Sequence, residues 1–443
     1  MTLQLTIEPW EDASNDAPEI CRTSGPLTIE IDGKPLTRNL DDWSQSVKRS
    51  TRVSAYPLAA WLASSWWRLR YEPLPVGNRA NSSWRMAHEV AASGYGYLWP
   101  QLVFSCDGER MHYWSIPTDA NDGQPVHYLT GARGSISTKE FEQAVDSFIQ
   151  LVIDRLDAVQ LPTELKGLWQ EVLEERADAD LAHYRKLEAL LGYDPDEIDA
   201  AVVERFIQLG TTIGRSVIDE VASVCASADP LHALNDIDAI AQGRGIEGRF
   251  ALTQQQLGTI PSDPLRPWER GRTLAHAARR TIGLNAHAID DRALSELAEL
   301  ADASVFNGPF DSARLSIGLA VRDEDNKAKI ILRKHNRAGR RFEFARLLGD
   351  HLLSSQQDHW LPAADTKTIR QKWQRAFAAE FLCPIEALLA RLDDDLSDDA
   401  IEEAADHFGV SERTAQSQLV NHGYLPVCAL GDNPNTGAYP YRI

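Results

Sequence analysis

No run of about 18 apolar residues occurs in this sequence, so no segment is suited to cross a bilayer as a helix. The opening MTLQLTIEPWEDASNDAPE lacks the basic start and apolar centre of a secretory leader. Cysteine is scarce and scattered: Cys21, Cys106, Cys225, Cys383 and Cys428 contain no CxxC pair. That argues against a disulfide framework or a thiolate zinc site, and for reduced thiols in a cytoplasmic protein. Cations are outnumbered, with 45 Lys and Arg against 65 Asp and Glu and a net charge of −20. Such a surface repels phosphate backbones and anionic lipid at long range, so neither nucleic acid nor a membrane is the expected partner of the chain alone.

What is present fits a globular chain, with 43% hydrophobic and 25% charged residues. Its 443 residues exceed one ordinary core, and roughly 100–200 residues per domain gives two to four domains. Eight of the 12 tryptophans lie in the first 114 residues: Trp10, Trp43, Trp61, Trp66, Trp67, Trp84, Trp99 and Trp114. Around them the pattern is strands and turns. TIEID at 28–32 alternates before Gly33, and two apolar stretches flank Asp107-Gly108, a strong hairpin signal. The segment LAAWLASSWWRL (58–69) reads instead as helical or mixed. Residues 1–135 therefore read as a Trp-rich β or α+β domain. Its indoles supply a core, with Trp61, Trp66 and Trp67 as the candidates for a partner-binding groove, since indole is also favoured at interfaces.

Met86-Ala87-His88-Glu89 begins like a zinc helix, but Ala92 stands where the second histidine must be. The zinc helix needs both imidazoles at i and i+4, where they share a face, so His88 reads as an ordinary surface or core histidine.

From about 137 to 229 the rhythm turns helical. Phe141, Ala144, Phe148, Leu151, Val152 and Leu156 recur near i, i+3, i+4, and two further helices are expected over 178–191 and 198–225. Residues 136–258 thus read as a helical connector or bundle without a chemical constellation. Glycines and prolines then break the pattern, and a boundary is placed near 258–264. After it, Pro267 opens a helix and Gly283 stops it.

Beyond that helix, RxxIGL leads to a second short helix at 290–300, a strand-rich stretch at 312–332 with the turn DEDNK, a basic loop RKHNRAGRR, and RFEFARLLGDHLL at 341–353. This succession resembles the ImmA/IrrE family of prokaryotic zinc metallopeptidases, whose corresponding phrase runs roughly R-F-T-L-A-H-E-L-G-H-x-L-L. Arg341, Phe342, Ala345, Leu348, Gly349, Leu352 and Leu353 match it. FAAEFLCP (377–384) resembles the family's F-A-A-E-L-L-M-P, and 408–425 resembles its closing F-x-V-S…R-L…L-G segment. The resemblance covers about 265–430 and is silent on residues 1–258. It implies a zincin-like, mainly helical C-terminal domain with a small sheet over 259–443. The whole is then an α+β multidomain chain with a Trp-rich N-terminal domain and a helical middle.

The resemblance stops at the chemistry. In HExxH two neutral imidazoles bind zinc and the glutamate activates a zinc-bound water. Here the histidine positions hold Arg346 and Asp350, and the glutamate position holds Leu347. Arginine stays protonated and cannot ligate; leucine cannot take a proton. The stretch IRQKWQR at 369–375, where a third ligand is due, offers neither acid nor histidine. The motif is degenerate, with no catalytic residue and no cofactor expected. Arg346 and Asp350, four apart, share a helix face and are expected to pair with each other.

Two classes of function follow. The first is a catalytically inactive metallopeptidase-like protein that binds another protein or peptide; what is implied of the family adds a setting in prokaryotic defence, mobile-element or stress-response systems. The second is a zinc-dependent endopeptidase with displaced ligands, drawing on Glu343, Asp350, His335 or His359, or a DNA-binding regulator. The DNA reading rests on the helix-turn-helix pattern of 397–425, where Ser411 caps a helix carrying Arg413, Gln416 and Gln418. Acids crowd the preceding helix and face phosphate poorly, which favours a structural role.

Overall fold

A computed structural model describes residues 2–12, 16–78, 80–119, 123–243, 245–258, 266–301, 303–307, 316–323, 325 and 327–430. The chain is α+β with several small antiparallel sheets, and it divides into two compact units meeting at Val203/Glu204. Among the described residues no helix is long and apolar enough to cross a membrane.

The first unit begins with β1 (Leu3–Ile7) and α1 (Pro18–Arg22), followed by β2 (Ser24–Ile31), β3 (Lys34–Pro35), β4 (Asn39–Asp41), β5 (Ser46–Lys48) and β6 (Thr51–Ser54). β2 is the hub of one antiparallel sheet, pairing with β1, β3 and β6. Two helices follow, α2 (Ala55–Ser64) and α3 (Trp66–Tyr71), then α4 (Ser82–His88). The expected hairpin is β7 (Gln101–Cys106) with β8 (Arg110–Ile116), and the Asp107 carboxylate closes its turn by accepting the N–H groups of Glu109 and Arg110. Strand β9 (Val126–Tyr128) joins β4 and β5, while β10 (Ala132–Ser137) joins β8.

Helix α5 (Thr138–Ala158) opens with a capping box in which Ser137 and Glu140 exchange hydrogen bonds. Its buried stripe Phe141, Val145, Phe148, Ile149, Val152 and Leu156 follows the helical period and packs against β1 and α2. Two more helices, α6 (Glu164–Ala177) and α7 (Ala179–Leu190), belong to this same unit. The helical middle is therefore not one body. An amphipathic stripe says that a helix is covered, not which core covers it.

The second unit starts near α8 (Ala200–Ile213) and α9 (Arg215–Cys225). One helix is expected there, but Gly214 breaks it at φ +111°, where a Cβ would also stand 2.6 Å from Asp358 Oδ1. After α10 (Pro230–Gln242), β11 (Ile246–Arg249) enters a sheet. The boundary expected near 258–264 falls mostly outside the described residues. Helix α11 (Pro267–Thr281) carries Pro267 in its first turn and ends before Gly283, as its sequence predicts. Then come α12 (Asp291–Glu296), β12 (Gly318–Arg322) and β13 (Lys327–Ile331); Glu324 and Asn326 of the DEDNK turn lie outside the described residues. Helix α13 (Arg337–Leu353), β14 (Trp360–Ala363) and α14 (Ile369–Leu382) complete the centre, with sheet order β11-β13-β12-β14. Helix α15 (Ile385–Leu392) leads to α16 (Asp398–Phe408) and α17 (Glu412–Asn421).

Helices α11, α13 and α14 form one cluster. At Gly349 an added Cβ would stand 2.6 Å from the Phe377 ring, so α13 and α14 meet at a distance only glycine allows.

Candidate functional site

Helix α13 is the element that carries the motif, and it is buried almost all round. Asn336 caps it through the Gly339 N–H, and of residues 340–352 only Phe342 is not fully buried. Six of those buried residues are polar or charged: Arg340, Arg341, Glu343, Arg346, Asp350 and His351. A buried charge without partners costs several kcal/mol, so each must be met.

Arg341 and Glu343 are met by loops and neighbouring helices. Arg341 is fully buried and donates to the carbonyl oxygens of Gly409, Ile289 and Phe408 and to the Asp291 carboxylate. It thereby ties α13 to the start of α12 and to the turn between α16 and α17. Glu343 accepts the Arg333 N–H at 2.6 Å and Arg333 Nε at 2.8 Å.

Arg346 and Asp350 do not pair with each other, contrary to the expectation from their spacing. Arg346 reaches across to α14. Its Nη2 donates to the Ala364 carbonyl at 2.5 Å, to Gln371 Oε1, and to Gln374 Oε1 at 3.3 Å, while its Nε meets no acceptor. Burial, together with the nearby Arg375 cation, brings its guanidinium down to about 9, still charged at neutral pH. Asp350 turns instead to Arg370, which grips it through Nε and Nη2, both at 2.9 Å. Arg370 Nη1 also donates to Asp358 Oδ2 at 3.2 Å and Ser216 Oγ at 3.1 Å. Burial alone would lower the Arg370 pKa; Asp350, Glu220 and Asp358 outweigh it and raise it.

Glu220, from α9, completes the cluster. It accepts Thr368 Oγ1 at 2.7 Å and Gln371 Nε2 at 3.0 Å, and full burial pushes its carboxyl above the usual range. Gln371 thus links Arg346 to Glu220. Leu347, at the glutamate position, is wholly buried in the apolar core. The His351 ring stacks on Phe250 at 4.4 Å, with Nδ1 3.0 Å from Arg322 Nη1. Burial first, then Arg322, pulls its pKa down to about 4, so the ring is neutral at pH 7.

No family model, curated protein or solved structure matches this chain. What the face can do is therefore argued from its donors alone. Zinc needs three or four deprotonated N, S or O ligands converging on one point. The face offers a guanidinium at 346, an apolar side chain at 347, and at 350 a carboxylate already held by Arg370. The residues do not fit the ion. The displaced-ligand alternative fares no better: Glu343 is engaged by Arg333, and among the described residues no three His, Cys, Asp or Glu side chains stand close enough to hold one metal.

The decoy at His88 is a core histidine, its ring bonded to the Phe104 carbonyl at 2.8 Å and Glu72 at 3.1 Å. Trp61, Trp66 and Trp67 are also core, exposed by only 7%, 2% and 2%. The Trp61 indole N–H donates to Met86 O and that of Trp67 to Glu175, and Trp66 packs edge-on against Trp169. Trp61 lines a void of only about 10 Å³. The exposed indole is Trp43, 89% accessible on the β4–β5 turn, where Asp41 Oδ1 accepts the N–H groups of Trp43 and Ser44. Its setting, DDWSQS, was the available signal: an indole with only polar neighbours has no stripe to join.

Helices α16 and α17 do form the helix-turn-helix layout, with Ser411 capping α17 through Thr414 N–H. Yet Gln418 is buried and donates to Glu380 Oε2 at 2.9 Å and Cys383 O at 3.0 Å. Glu380, the acid of FAAEFL, also accepts the Ile385 N–H, so it joins α14, α15 and α17. One of the three side chains expected to read bases is thus part of the interior.

Proposed function

We propose that this chain is a catalytically inactive, metallopeptidase-like protein that acts by binding another protein or peptide. The observation that carries the reading is the set of partners on the motif face: Arg346 is held by Gln371 and Gln374, and Asp350 by Arg370, so neither position is left as a metal ligand. A fully exposed Trp43 on a stiffened turn supports the binding half, because indole on a surface is the side chain most enriched at interface centres. The free cysteines among the described residues, Cys21, Cys106, Cys225 and Cys383, support a cytoplasmic setting; the thiols of Cys225 and Cys383 are pushed up to about 12 by burial. The sequence resemblance of residues 265–430 to the ImmA/IrrE peptidases is what suggests a setting in prokaryotic regulation or defence.

Metal analysis of the purified protein tests the first half. The expected zinc content is well below one equivalent; about one equivalent, released in Asp350→Asn, would overturn the reading. Affinity capture from the source cell, with wild-type and Trp43→Ala proteins compared side by side, tests the second. A partner recovered by the wild type and lost from the variant supports it. Equal recovery removes Trp43 as the anchor.

A further inference from the structure

The loop between β14 and α14 gathers two cations that, among the described residues, no carboxylate touches. Arg346 of α13 donates only through Nη2, and its acceptors, Ala364 O, Gln371 Oε1 and Gln374 Oε1, are all neutral. Arg375 of α14 also donates only through Nη2, to the same Ala364 carbonyl at 3.3 Å and to Thr366 O at 2.7 Å. One carbonyl oxygen therefore holds both guanidiniums. The carboxylates whose fields reach this pair are engaged elsewhere. Glu343 is bound by Arg333, and Asp365 by Arg333 and Lys334. Glu220 faces Thr368 and Gln371, and burial favours its neutral form.

Within this group two buried polar atoms, Arg346 Nε and Thr366 Oγ1, have no partner among the described residues. Thr366 is joined to the pair through its own carbonyl. Burial without a partner is costly for any polar group, and most costly for a cation. A water molecule satisfies hydrogen bonds but supplies no counter-charge. Burial lowers the pKa of both arginines, and the Arg375 cation lowers that of Arg346 further, the mark of positive charge in excess. In a chain of net charge −20, two neighbouring cations without a carboxylate are a local exception. An anion removes both deficits at once.

We propose that Arg346, Arg375 and Thr366 form a binding site for a small oxyanion, a carboxylate or a phosphate. A guanidinium fork matches the paired oxygens of either, and the threonine hydroxyl adds a neutral donor. Entry is from the Arg375 side, since that residue is half-buried whereas Arg346 is 3% exposed. The site does not rest on the inactive-protein reading: it needs only these donors, and anion binding and zinc content are measured separately.

The test is thermal unfolding of the full-length protein in sodium phosphate, sodium acetate or sodium chloride at matched ionic strength, with isothermal titration of phosphate and acetate. An anion that binds the folded state raises the melting temperature with its concentration. Phosphate or acetate is expected to do so beyond chloride and to titrate to saturation, and the tighter of the two assigns the class. Arg375→Gln is expected to weaken binding about ten-fold or more, as loss of a charge-assisted hydrogen bond does, and Thr366→Val, which keeps the shape, about five-fold. Lys334→Gln removes a neighbouring, more exposed charge and is expected to change binding by less than about two-fold. Circular dichroism checks each variant, and if one fails to fold the other decides. Equal stabilisation by chloride, no saturable binding, unchanged affinity in Arg375→Gln or Thr366→Val, or an equal loss in Lys334→Gln would each overturn the proposal.

Discussion

Replacing Arg370 with methionine tests whether the motif face is an ionic lock. The change leaves Asp350, with no solvent exposure, facing only Ser354 Oγ at 3.0 Å, and it strips Asp358 of its cation. Removing one partner of a buried pair costs about 3–5 kcal/mol. Asp358 keeps the Ser216 hydroxyl at 2.8 Å, so the lower figure, about 3 kcal/mol, is expected. Removing both partners is different. In the double variant Asp350→Leu with Arg370→Met no unpaired charge remains at 350, and stability should return to within about 1–2 kcal/mol of the wild type. Asp350→Leu alone leaves the Arg370 cation short of its main partner and should also cost about 3 kcal/mol, so the predicted coupling is about 4 kcal/mol. Two units do not have to unfold together. The transition is therefore best followed in urea by hydrogen exchange of the α13 and α14 amides, where a 3 kcal/mol loss moves the midpoint by about 1 M. Additive single and double variants, within about 0.5 kcal/mol, would refute the lock.

Three shorter predictions concern the same unit. His351 has an ordinary pKa of 6.5 and a folded value of about 4. The depressed value means that its neutral form is held by the fold: this contribution is complete above pH 6.5 and is lost as pH falls toward 4. It amounts to about 3 kcal/mol, so wild-type urea midpoints should drop over that window more than those of His351→Gln; parallel slopes would count against it. Gly349→Ala should cost about 1–3 kcal/mol, because its Cβ would stand 2.6 Å from the Phe377 ring; an unchanged melting temperature would show that α13 and α14 do not meet so closely. Gln418→Ala should destabilise the α14–α17 junction by about 1–3 kcal/mol by depriving buried Glu380 of a donor, while Arg413→Ala leaves duplex DNA binding at its weak background. Salt-dependent binding that Arg413→Ala weakens would restore the regulator reading.

Much of the local structure was legible in the chain. The Asp107-Gly108 hairpin, the apolar stripe of α5, the Pro267 opening of α11 and the α16–α17 layout are written in short-range chemistry, where local spacing or one or two residues decide an element. The partners of the motif residues were not. A four-residue spacing places Arg346 and Asp350 on one face, but it cannot weigh that pairing against donors and acceptors from elsewhere. Gln371, Gln374 and Arg370 arrive on α14, and Glu220 about 130 residues earlier in the chain. The break at Gly214 was equally hidden, since it depends on Asp358 closing in from a distant loop. Burial of Trp66 and exposure of Trp43 were separable only through their neighbours, apolar for one and polar for the other.

The network around Arg370 also bears on how this protein can change over generations. A histidine arriving at 350 would leave the Arg370 cation with Asp358 as its remaining carboxylate; one arriving at 346 would remove the donor that Gln371 and Gln374 share. Each single step toward a metal-binding face therefore passes through a less stable chain, and no one step brings a ligand set with it. The ionic arrangement at this face therefore resists conversion: single changes are penalised, and only simultaneous ones would build a metal-binding face.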